Sequence, residues 1–72
     1  MSTDREIALE QALIAVIAAS EAAGARTKDL LDLAHGLIIG HSPFRQVDHP
    51  YVAMACQEIS EAHATVLALK PD

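Results

Sequence analysis

The stretch Gly40-His41-Ser42-Pro43-Phe44-Arg45-Gln46-Val47-Asp48-His49-Pro50 divides this chain. Proline has no amide hydrogen and disfavours α geometry at the residue before it, so no regular helix runs unbroken through Pro43 and Pro50. Helical periodicity lies on both sides, giving two helices before the stretch and one after it. The same stretch holds the only phenylalanine, two of the four histidines and two of the three prolines, and the only tyrosine, Tyr51, follows it. It is the first place to look for a distinctive contact surface.

The first helix is expected over residues 4–23. Thr3-Asp4-Arg5-Glu6 matches a capping box, with Thr3 as N-cap, and Asp4 and Glu6 suit the positive end of the helix. Gly24 supplies the stop. Leu9, Leu13, Val16 and Ile17 form a stripe of large residues, extended by Ile7 and Ile14. Ala8, Ala12, Ala15, Ala19 and Ala22 form a second stripe. A helix with one neighbour needs only one apolar face, so the alanine stripe is a candidate oligomer interface at which another helix approaches closely.

The second helix is expected over residues 28–39, with Thr27 as N-cap and Asp29 in its first turn. Its stripe reads Leu30, Leu33, Ala34, Leu37 and Ile38, with Leu31 at the edge and Ile39 pointing away. Gly36 suits a packing contact, and Gly40 ends the helix. In the connector, residues 40–49, Ser42-Pro43 can start a single turn through Arg45. The third helix is expected over residues 50–69 and closes at Lys70-Pro71. Its seam is Val52, Ala55, Ile59, Ala62, Val66 and Leu69, which alternates large and small residues in the manner of a coiled coil. Gln57, Glu58 and Glu61 fall on the opposite side.

These elements make one all-α domain, residues 1–72: a helical hairpin joined by the proline-containing connector to a third helix. Its core would be thin. Apolar residues are 51% of the chain but aromatics only 3%, and 14 residues are alanine, which buries little area. A chain this short is marginal without disulfides, metal or a partner copy. Cys56 is the only cysteine, so no internal disulfide forms. A helical homodimer is therefore expected, joined through the alanine stripe of the first helix or the seam of the third.

Charge and motifs narrow the function. At a net charge of -5 the chain offers no basic patch for direct nucleic-acid binding. The apolar run 12–19 is too short to span a membrane and has no basic leader, so a cytoplasmic protein is expected. Cys56 and His63 stand about 10 Å apart along one helix, too far to share a metal. No C-x-x-C, H-x-x-x-H or E-x-x-H pair occurs, and no metal or other cofactor is expected. No catalytic residues emerge either, because Ser42, Asp48 and the histidines have only residue type in their favour.

Two classes of function remain. The first is a non-catalytic regulator, adaptor or inhibitor that occupies a surface of a larger protein. Phe44, Arg45 and Tyr51 are its candidate partner-binding residues, since these types are enriched at interface hot spots. Tyr51 is expected to be partly exposed and Phe44 to be tucked under the connector. The alternative is an anion or metabolite sensor, with His41, Arg45 and His49 donating to the ligand at a subunit junction.

Overall fold

The computed structural model describes residues 3–70. Three helices occupy it: α1 (Asp4–Ala22), α2 (Thr27–Ile39) and α3 (Tyr51–Leu69). The all-α reading holds, with the three helices within a few residues of their expected bounds. The closure expected at Pro71 lies outside the described residues.

Thr3 caps α1, its hydroxyl accepting from the Glu6 amide at 3.1 Å. At the other end Gly24 takes φ +80°. The Ala25 amide reaches back to the Ser20 carbonyl and the Gly24 amide to that of Glu21, both at 3.0 Å, which makes a Schellman ending. This corner turns the chain sharply enough for α2 to start three residues later.

Contacts along the helices set their directions. Leu9 of α1 shares a hollow with Met54 of α3, and farther along Glu21 meets Lys70, so α1 and α3 run parallel. Thr27 lies near His63, and His35 Nε2 sits 3.3 Å from the Cys56 carbonyl oxygen, so α2 descends antiparallel to α3. Helix α3 packs against both others, whereas α1 and α2 touch little beyond their corner. The core sits where the three meet: Ile17, Leu31, Ala62 and Val66, with Leu13, Ile14 and Ile59 packed around them. Val52 is buried nearer the start of α3.

The third seam is therefore legible in the sequence except at its end, because Leu69 is exposed. That seam is consumed within the chain and is not free to hold a second copy. On α1 the large stripe is used in part: Ile17 is buried, while Ile7, Leu9 and Val16 face solvent.

Helix α2 departs most from expectation. Leu31, placed at the stripe's edge, is the buried residue; Leu30, Leu33 and Leu37 are exposed. Thr27 explains the rotation. It is not the N-cap, a position held by Arg26, but the first helical residue, and it is buried. Its hydroxyl lies 3.3 Å from that of Ser20. Anchoring Thr27 inward carries Leu31, one turn on, into the core, followed by His35 and Ile38 at half-buried positions. Gly36 makes no packing contact, since a Cβ built there would meet nothing within 4 Å.

The start of α3 also shifts slightly. Pro50 stands at the N-cap position after a cis His49-Pro50 bond, and Tyr51 is the first helical residue.

Candidate interaction surfaces

The connector is organised from within by Arg45. Its side chain is only 9% exposed. Nε donates to the Val47 carbonyl at 2.8 Å, Nη1 to that of Ile39 at 3.5 Å, and Nη2 meets Asp48 Oδ1 at 3.5 Å. Nη1 also lies 3.4 Å from His41 Nδ1. Ser42 adds a second tie, its hydroxyl donating to the Leu37 carbonyl at 2.7 Å and accepting from the Phe44 amide at 3.3 Å. These bonds fold residues 42–45 as a turn closed by the Arg45 amide on the Ser42 carbonyl, rather than as a helical turn.

This arrangement bears on the residues singled out in the sequence. His41 and Arg45 come together, with Ser42, Gln46, Val47 and Asp48, around a hollow of about 330 Å³; His49 does not line it. The Arg45 donors are spent on connector carbonyls and on Asp48, whose carboxylate also faces the hollow, which disfavours an anion there. Phe44 is 76% exposed and so is not tucked under the connector, because the Ser42 ties turn the backbone outward at that point. Tyr51 is 59% exposed, as expected of it. Phe44 and Tyr51 are accessible to a partner; Arg45 holds the loop that presents them.

The remaining titratable groups sit apart. Glu21, on α1, joins the helix ends: Oε2 lies 2.9 Å from Lys70 Nζ without hydrogen-bond direction, and Oε1 lies 3.9 Å from His63 Nε2. Cys56 is a half-buried free thiol. Among the described residues no three His, Cys, Asp or Glu side chains gather closely enough to hold a metal ion. None of the described helices is long and apolar enough to cross a membrane.

Apolar surface is the prominent feature. The alanine stripe, Ala8, Ala12, Ala15, Ala19 and Ala22, is exposed along its whole length. Leu30, Leu33 and Leu37 line an outward face of α2. A third surface, between α1 and α3, was hidden from sequence reasoning because it combines residues from two helices. There Leu9 and Leu13 face Met54, and Glu6, Glu10 and Glu58 surround them. Glu58 and Glu61, expected on the far side of α3, instead border this groove with α1.

No protein-family model, curated protein or solved structure matches the chain.

Proposed function

We propose that this chain is a non-catalytic protein–protein interaction module, acting as a regulator, adaptor or inhibitor of a larger protein and pairing with a second copy of itself. One observation carries the reading. The chain exposes 5641 Å², well above the roughly 4,300 Å² that size scaling gives a compact monomer of 7.7 kDa.

Large hydrophobic side chains are prominent on that surface. Among the described residues thirteen large hydrophobic side chains are exposed, while five apolar residues are buried. A stable interface takes about 800 Å² from each partner, so the surplus of roughly 1,300 Å² is more than one standard protein contact removes. The shallow connector hollow, with its arginine already engaged, gives less support to a small-ligand site.

Native mass spectrometry of the protein, purified gently from its source cells, tests the reading. The expected result is a discrete complex in which one or two copies of the chain carry a second protein. A mass increment of a few hundred daltons would replace it with the sensor reading. A bare monomer at every concentration would overturn both the module and the self-pairing.

A further inference from the structure

We propose that the groove between α1 and α3 docks a basic amphipathic helix of the partner protein. This rests on the interaction-module reading and gives the partner a chemistry. Two adjoining hollows form the groove. The first, about 380 Å³, has Leu9, Leu13 and Met54 as its apolar lining. The second, about 220 Å³, shares Glu10, Leu13 and Glu58 with it and continues to Glu61, Ala62 and Thr65. Between Met54 and Thr65 the α3 side runs about 16 Å, or three helical turns, which matches a docked helix of similar length.

The floor offers apolar area that the fold itself leaves unused. Leu9 is 57% and Met54 53% exposed, from helices that face each other. Methionine adapts its shape to different side chains, which suits a binding floor better than a fixed core.

The rim supplies the sign of the partner. Glu6, Glu10, Glu58 and Glu61 stand around the groove, and no lysine or arginine lines it. The ion pairs among the described residues involve Glu21, Asp29, Asp32 and Asp48 instead. Among the described residues the Glu61 carboxylate accepts only from the neutral Gln57 amide, at 3.1 Å. An apolar floor within an uncompensated acidic rim complements a helix whose leucine stripe is flanked by lysine or arginine. A second copy of this chain fits poorly, because it carries the same net charge of -5 and would bring its own carboxylates to the rim. A metal ion fits poorly as well, since the rim carboxylates do not converge.

The test is fluorescence anisotropy of the full chain with a labelled 18-residue Leu/Lys amphipathic peptide, at low and high salt. Binding should weaken at least tenfold for Glu10→Lys with Glu58→Lys, and at least fivefold for Leu9→Gln with Met54→Gln. A control that changes the charge equally elsewhere, Asp29→Lys with Asp32→Lys, should stay within threefold. All six positions are exposed, and circular dichroism verifies that each variant keeps its helices. Equal weakening by the control, equal binding of a Lys/Ser peptide of the same charge, or no binding at low salt would overturn the groove. A native complex with a protein partner that survives the Glu10 and Glu58 substitutions would sink the groove and leave the module standing. Absence of any protein complex would remove the module itself.

Discussion

Ser20 Oγ and Thr27 Oγ1 lie 3.3 Å apart and clasp the last turn of α1 to the first residue of α2. The pair is small, yet it fixes the rotation of the whole second helix. With Thr27 turned inward, Leu31 enters the core and the leucines at 30, 33 and 37 are left to solvent.

Thr27→Val keeps the shape and removes the hydroxyl. The Ser20 hydroxyl then loses its partner at a half-buried position, and the fold should lose about 1 kcal/mol. Urea unfolding of the variant measures this. A loss near zero would mean that packing alone orients α2.

The core depends on few residues. Ile17 is 2% exposed and belongs to the central cluster. Ile17→Ala should cost about 2–5 kcal/mol, and Ile17→Val about 1 kcal/mol. A chain of this length has roughly 4–11 kcal/mol in total, so the alanine variant should show a sharply lower Tm or fail to fold at all. An alanine variant within 1 kcal/mol of the parent would contradict a core centred on Ile17.

The glycines should respond in opposite directions. Gly24→Ala forces a side chain into a left-handed conformation and should cost about 1–2 kcal/mol, although the added methyl would meet no neighbour. Gly36→Ala meets nothing either, within a regular helix, and should stabilise by about 0.8–1 kcal/mol. Thermal melts of the two variants provide the comparison. If Gly36→Ala stabilises the fold yet weakens self-association, a second helix approaches α2 at that point.

Arg45 is replaceable in charge but not in geometry. A lysine carries one ammonium where the guanidinium reaches Val47, Ile39 and Asp48 together. Arg45→Lys should leave the helical content unchanged and speed amide hydrogen exchange at the Arg45 and Tyr51 amides, which close the connector turns. Unchanged exchange would show that the Ser42 bonds suffice.

Two substitutions locate the proposed self-contact. Ala15→Leu, which changes no charge, should raise the dimer Kd at least tenfold by holding the alanine stripe away from its neighbour. Leu33→Glu, at a side chain 70% exposed, should do the same only if the α2 face is the contact. Sedimentation equilibrium reads both. An unchanged Kd for Ala15→Leu would discard the alanine stripe.

The sequence by itself determined the three helices and both ends of α1. Thr3 and Gly24 act through bonds that span only a few residues, and Pro50 acts through its own ring at the start of α3, so local chemistry is enough to place these ends. The α3 seam was legible too, since a single apolar stripe on a central helix leaves little choice of which side to bury. On α2 the choice was open: Ala34 and Ile38 serve equally in a stripe with Leu30 and Leu37 or in one with Leu31. Tertiary structure decided it through the Ser20–Thr27 contact, which no periodicity contains. The acid-rimmed groove was out of reach for the same reason. Glu6, Leu9 and Glu10 are separated from Met54, Glu58 and Glu61 by more than forty residues, and only the parallel packing of α1 on α3 brings the two sets to one surface.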